Sequence, residues 1–471
     1  MSQTTDASAA SGRAGGRSDG PAAQPPLPLA ADRPAVVGRG RHRIHPAWTV
    51  AAAAFVALLG AAGFRSAPSV LMVPMEAEFG WSRGTLSLAV SVNLVLFGLM
   101  APFAAALMDR FGVKQVVATG LTLIALGSGL AIFVTESWQL VLLWGGLVGT
   151  GTGSMALVFA ATVANRWFVR RRGLVMGLLT AGSATGQLIF LPVVALVAAA
   201  VGWRWACVVV AGAALLVVPV VLIFLHNRPE DRGVLPYGAT ADYRPDPAPA
   251  AGTAVRRALD ALRTAARTRT FWALAGGFAI CGATTNGLIG THFIPAAHDH
   301  GLSEPTAAGL LAVVGVFDIV GTLASGYLSD RFNPRVLLAV YYSLRGAGLV
   351  MLPGMLSDSL HPSMIGFVVV YGLDWVATVP PTAALCREAF GTAGTIVFGW
   401  VFASHQIGAA IGSAVAGVLR DETGSYTIAW FGAAGLCLVA ATVSIGIRHW
   451  PPPGTTRPPA VPAPALPLDP P

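Results

Sequence analysis

The sequence predicts an all-α membrane protein: twelve transmembrane helices arranged as two pseudo-symmetric six-helix bundles. Three observations carry that prediction. Of the 471 residues, 54% are hydrophobic and only 11% are charged, whereas a soluble domain carries roughly 25% charged residues. Twelve apolar runs have the length of about 20 residues that crosses a hydrocarbon core. And the phrase "LMDRFGVK" at 107–114 returns as "LSDRFNPR" at 328–335, 221 residues later, each time between two apolar runs.

Residues 1–46 are rich in Ala, Gly, Pro and Ser and carry six arginines from Arg13 to Arg43. That composition predicts a disordered cytoplasmic tail. It does not read as a signal peptide, because the first apolar run starts only near Trp48. The first bundle, 47–225, holds runs near 48–72, 84–107, 113–135, 138–164, 173–201 and 205–225. A polar, Pro- and Arg-rich linker follows at 226–270. The second bundle, 271–450, holds runs near 271–297, 304–328, 335–356, 362–386, 394–418 and 426–448. A disordered Pro/Ala tail closes the chain at 451–471.

The net charge of +8 raises the question of nucleic acid. Its placement argues otherwise. Of the 30 basic residues, 25 fall in the two tails, the linker and alternate loops. Only Arg83, Arg204 and Arg420 fall on the opposite side, and Arg65 and Arg345 lie within spans. A bias of that size orients a membrane chain with both termini in the cytoplasm. The expected location is the plasma membrane, and the expected partners are the bilayer, a small-molecule cargo and protons, with no nucleic acid.

The 221-residue offset reaches beyond the opening phrase. Gly80, Ser82 and Thr85 map onto Gly301, Ser303 and Thr306, Arg166 maps onto Arg387, and Gly173 onto Gly394. Matches at one offset in three loops indicate a duplicated six-helix unit whose halves run in the same sense. Such halves enclose a site near the midplane.

On these residues, above all Asp109-Arg110-Phe111-Gly112 with Lys114 and the second copy Asp330-Arg331-Phe332, the chain resembles the major facilitator superfamily of secondary transporters over about 47–450. The resemblance implies the major facilitator fold and alternating access. It also implies a conformational latch, in which the Asp caps a neighbouring helix and Arg tethers it to a facing loop. Asp109, Arg110, Lys114, Arg166, Asp330, Arg331 and Arg387 are its candidates. Two departures stand out: Ala105 occupies the place of a family Gly that Gly326 retains, and Asn333 replaces the Gly that follows Phe. "EFGWSRGTLS" (78–87) and "NRWFVRRRGLVMGLLTAGSATGQ" (165–187) resemble the monocarboxylate and oxalate–formate branch, which implies small organic anions as cargo.

Charged groups inside spans are costly and are usually functional. Asp318 and Arg345 fall at one depth on consecutive spans, by a rise of about 1.5 Å per residue, and so invite an ion pair. The resembled branch carries an Arg four residues after its helix-8 Asp; here Thr322 stands at that place, which puts lactate-like proton coupling in doubt. Arg65 is a candidate carboxylate clamp, since a guanidinium binds both oxygens and never deprotonates; snorkelling to the interface is the structural alternative. Asp374 is a candidate for proton or cation handling. His405 could titrate near neutrality or simply pack. Gln406, Asn93, Asn286 and His292 complete the polar candidates. The counterparts of Asp318, Arg345 and Asp374 at the 221 offset are Phe97, Ile124 and Gly153, so these charges point to cargo or coupling rather than to scaffold.

Enzymatic chemistry is not expected. "GGLVGTGTGS" (145–154) lies inside a span with no Lys-Ser/Thr, and its Gly145, Gly149 and Gly153 suit close helix packing. Four scattered cysteines form no metal or redox spacing, and His298-Asp299-His300 lacks a clear further ligand. The expectation is a monomeric secondary transporter without cofactor or metal, moving a monocarboxylate-like anion by proton symport or exchange. A drug or metabolite exporter is the alternative, with a non-transporting sensor behind it.

Overall fold

His45 and Pro46 start the first helix. The imidazole Nδ1 accepts the Ala47 N–H at 3.2 Å, and Pro46 fills the first turn, where its missing N–H costs nothing. The computed structural model describes residues 45–155, 157–240, 243, 253–329 and 331–447. The remainder of both expected tails, part of the linker, and Asp330 lie outside the described residues.

Among the described residues, twelve long helices follow in order. They are α1 (Pro46–Phe79), α2 (Arg83–Phe111), α3 (Val113–Phe133), α4 (Ser137–Trp167), α5 (Arg172–Val201) and α6 (Trp203–Phe224), then α7 (Arg269–Asp299), α8 (Glu304–Ser329), α9 (Pro334–Gly354), α10 (Pro362–Phe390), α11 (Gly394–Thr423) and α12 (Thr427–Gly446). Among the described residues, eleven of them are long and apolar enough to cross a membrane. The twelfth, α5, runs for 30 residues and has its clearest apolar stretch at Leu188–Val201. No strand occurs among the described residues; a lone bridge joins Phe168 to Tyr237. Large apolar side chains such as Leu216 and Leu323 are exposed on the outer helix faces, as lipid contact requires.

The duplication is visible in the packing. Within the first half α1 packs on α5 and α6, α2 on α4, and α3 on α4 and α6. In the second half α7 packs on α11 and α12, α8 on α10, and α9 on α10 and α12. Every pairing recurs six helices later. Between halves, α2 lies along α11 and α5 along α8, and exchanging the halves turns one of these pairs into the other. Small residues permit the close approaches. A Cβ on Gly145, Gly149 or Gly153 would press into α2 at Val92, Asn93 and Phe97–Met100, so the glycine stripe is a packing face.

The linker is more ordered than its composition suggests. Residues Thr253–Ala265 form an amphipathic helix that lies against both α2 and α11. Ala258 and Ala265 are buried, and the Trp400 indole donates to the Ala258 carbonyl at 2.8 Å. Twelve long helices, an even number, return the chain to the face it left. The start of α1, the linker helix and the end of α12 therefore share one face, the terminal face; the other is the distal face.

Candidate functional site

α10 is interrupted. After "YGLD" its helix gives way to turns at 375–378 and resumes at Val379, ahead of Pro380 and Pro381. A broken helix exposes carbonyls at the end of its first piece and N–H groups at the start of its second, and a buried break must satisfy both. Arg345 supplies the cation. Its Nη2 donates to the carbonyls of Asp374 (2.7 Å) and Trp375 (3.3 Å), while its Nε pairs with the Asp374 carboxylate at 2.6 Å. Asp318 supplies the anion: its Oδ1 accepts the Val376 N–H at 3.1 Å and the Thr322 hydroxyl at 3.1 Å. The three charges expected to serve coupling thus converge on one broken segment.

The pairing differs from the one the depths suggested. Arg345 takes Asp374 as its partner, and among the described residues no ion pair joins it to Asp318. The reason is rotational. Arg345 points into the core of the second half, where its guanidinium also donates to Cys281 Sγ at 3.0 Å and Thr284 Oγ1 at 3.4 Å. It is 1% exposed and Asp374 4%.

Asp318 faces elsewhere. With Asn93, Asn286, Thr291 and Gln406 it lines a cavity of about 100 Å³ between the halves, walled by apolar groups including Phe64, Phe97 and Trp375. Asp318 is the charged side chain on that wall among the described residues. Asn286 sits in a π-helical stretch of α7, Ala283–Ile289, where Tyr371 donates to the Thr284 carbonyl. Such stretches recur at functional sites. Asn93 donates to the Trp144 carbonyl at 2.7 Å, inside the π-helical stretch Val141–Val148 of α4. Gln406 is 1% exposed, and its Oε1 has no partner among the described residues. His405 turns away from the cavity: it stacks on Phe402 (5.9 Å, 4°) and against Phe278 (4.8 Å). Arg65 lies in α1, and its side chain lies outside the described set.

His292 belongs to a second cluster, which sequence reasoning did not find. At the distal end of the seam, Arg83 is 3% exposed and binds Asp299 through both Nη atoms (2.7 and 2.6 Å), Glu76 through Nε (2.8 Å) and the Tyr426 hydroxyl (3.1 Å). Arg420 also reaches Asp299, at 2.9 Å. Asp421 accepts the N–H groups of Arg83 (3.0 Å) and Gly84 (2.8 Å), so that one half caps a helix of the other. Below them His292, fully buried, contacts Tyr426 OH (3.0 Å), Ser413 O (2.9 Å) and Ser87 Oγ (3.4 Å). Burial pushes the Tyr426 phenol up to about 12, so it keeps its proton. The signal available in sequence was that Arg83, Asp299 and Arg420 all fall at span ends on one side.

Residues 52–398 match the family model described as Major Facilitator Superfamily. The chain is a member of the Major Facilitator Superfamily. Its curated relatives within the superfamily are transporters rather than enzymes. Monocarboxylate transporter 11 of Homo sapiens is 30% identical over 418 residues, covering 85% of this chain and 82% of that protein. Monocarboxylate transporter 13 of Bos taurus is 29% identical, covering 86% and 89%. The uncharacterized MFS-type transporter YcxA of Bacillus subtilis (strain 168) is 25% identical, covering 81% and 90%. Among solved structures, a bacterial homolog of the human lysosomal transporter Spinster, inward-facing and unoccupied, aligns with a TM-score of 0.63 at 16% identity, covering 86% of this chain and 99% of that one.

The superfamily loop is local in its bonding. Asp109 pairs with Arg166, tying α2 to α4 inside the first half. Arg110 lies over the Phe111 ring at 5.1 Å, and Arg331 over Tyr327 at 4.2 Å. The Lys114 N–H donates to Asn227 at 2.9 Å, and Arg387 is exposed at the end of α10. Asp330 lies outside the described residues.

Proposed function

We propose that this superfamily member moves a small monocarboxylate-like anion by alternating access, coupled to protons by symport or exchange. The observation that carries the reading is the Asp318 carboxylate, set on the cavity wall and bonded to the α10 break. A carboxylate there can take a proton together with cargo, and its hydrogen bond to Val376 links that event to the segment that joins the two pieces of α10. The kinship with proteins named monocarboxylate transporters supports the cargo class. Arg65 is the proposed anion contact. The Arg345–Asp374 pair holds the break, and Asn93, Asn286 and Gln406 supply neutral contacts. The proposal further places both termini and the linker in the cytoplasm, with the chain in the plasma membrane as a monomer of two bundles, 47–225 and 271–450. In it, the Asp109 and Asp330 loops serve as latches during the exchange of states.

The test is uptake of labelled monocarboxylates into proteoliposomes under an imposed proton gradient. Accumulation that collapses with the gradient is expected. Failure of every monocarboxylate to enter or exchange would remove the reading. A second reading, export of an amphiphile bearing a cation, draws on Asp318 being the charged group on the wall among the described residues; transport of such a compound in the same vesicles would favour it.

A further inference from the structure

The distal cluster joins the halves through atoms whose donor and acceptor roles are fixed. Glu76, Arg83 and Ser87 come from the first half; His292, Asp299, Ser413, Arg420, Asp421 and Tyr426 come from the second. Carbonyl oxygens only accept, so the 2.9 Å contact to Ser413 O makes His292 Nε2 a donor. Ser87 agrees: its hydroxyl hydrogen is given to Arg83 O at 2.6 Å, leaving lone pairs toward Nε2. An arginine only donates, so Tyr426 accepts from Arg83 Nη1 and gives its own hydrogen to His292 Nδ1. The chain therefore runs one way: Arg83 to Tyr426 to His292 to Ser413. It closes only when Nδ1 is a bare acceptor, that is, when the imidazole is neutral.

We propose that His292 is a proton-binding site that releases the distal gate. A proton on Nδ1 turns the one acceptor that the Tyr426 hydroxyl finds among the described residues into a donor, and it adds a positive charge beside the buried Arg83. Tyr426 can then accept from both neighbours only by leaving its own buried hydrogen without a partner, and the chain across the halves is destabilised. The other charged groups around the site, Glu76, Asp299, Arg420 and Asp421, lie beyond Arg83 or at the distal rim and bond to Arg83, to one another or to the α2 N-terminus. They hold the gate shut while His292 is neutral. Gly290 and Thr291, next to His292 in sequence, line the cavity, so the proton site stands between the distal surface and the cargo space. The inference concerns the gate alone and holds whatever the cargo is.

The test is conformational and needs no substrate. The four native cysteines are buried, which leaves introduced ones selectively labelled. Spin labels at Ala77→Cys on α1 and Glu422→Cys on α11 span the gate in the full chain reconstituted in nanodiscs. Double electron–electron resonance is recorded from pH 8 to pH 5.5. The long-distance, open population is expected to rise as the pH falls. His292→Gln, whose amide can accept from Tyr426 and donate to Ser413, is expected to stay closed throughout. A wild-type distribution that ignores pH would overturn the proposal. So would a His292→Gln profile that matches the wild type, since the rim carboxylates would then be the titrating groups. Tyr426→Phe removes only the hydroxyl that reads the imidazole. It is expected to open the gate already at pH 8 and to flatten the profile; an unchanged profile in that variant also counts against the inference, which keeps the test decisive where His292→Gln does not fold.

Discussion

α4 and α10 are interrupted at the same place in the repeat, and they solve the problem differently. In α4 the helix loosens at Ser154 and Met155, just after Gly153. There the Ser154 hydroxyl donates to the Gly151 carbonyl at 2.7 Å and the Met155 N–H bonds to Thr152 O. Local hydroxyls and tightened turns suffice. In α10, just after Asp374, the same interruption is held by a buried arginine and two carboxylates drawn from α8, α9 and α10. Among the described residues, the first half holds its break without any ion. The ions of the second half hold its break and cluster where Asp318 meets the cavity; the coupling proposed above would give them a use beyond holding it.

The strongest way to break that comparison is to treat the two halves alike. Arg345→Leu leaves Asp374 buried and uncompensated, a loss of about 3–5 kcal/mol. Thermal unfolding in detergent should show a large drop in Tm, with Arg345→Leu/Asp374→Leu recovering the part due to the unpaired carboxylate but not the part due to the bare Asp374 and Trp375 carbonyls. At the matching site of the first half Ile124 is buried among apolar groups, and Ile124→Val should cost only about 0.5–1.5 kcal/mol. Equal losses at the two sites would undo the contrast.

A subtler probe separates holding the break from moving protons. Asp318→Asn keeps an acceptor for Val376 and Thr322, so its unfolding midpoint should fall by no more than a net hydrogen bond, about 1 kcal/mol. Under the proposed coupling it should nonetheless lose gradient-driven accumulation while keeping exchange. Loss of exchange as well would assign Asp318 to the cargo rather than the proton.

A contrast of backbone rather than charge lies in the repeated loop. Gly112 joins α2 to α3 at φ 89° and ψ 148°, a conformation nearly reserved for glycine, and a Cβ there would strike the Asn227 side chain. Its counterpart Asn333 sits at φ −62° and caps α9 by accepting the Arg335 N–H at 3.1 Å. Gly112→Ala should cost about 1–3 kcal/mol. Asn333→Ala should cost about 1 kcal/mol and Asn333→Gly only a few tenths, all read from Tm. This difference explains why the second copy of the phrase could exchange glycine for asparagine.

Span count, repeat and family were legible in the sequence because all three depend on composition and spacing along one chain. What lay across helices was not. Depth placed Asp318 and Arg345 together, but rotation about α9 sends Arg345 to Asp374, and linear spacing fixes no rotational neighbour. The interruption in α10 was signalled by Pro380 and Pro381 without its ligands. The linker helix could have been found from Ala258, Leu262 and Ala265, one face of a helix inside an otherwise polar stretch. The distal cluster eluded reading because its members come from five segments, each carrying only one or two unremarkable charges or rings.

The α10 break has a consequence for descent. Arg345 meets both the Asp374 carboxylate and two carbonyls of one stretch of main chain, so it cannot drift alone. A lineage that first lost Arg345 would carry a buried Asp374 and bare carbonyls through every later generation until a second change mended them. The tolerable route begins with straightening: substitutions at Pro380 and Pro381 that restore a continuous α10 would free both charges to vanish. Among relatives, an unbroken tenth helix and the absence of this arginine should therefore be inherited together.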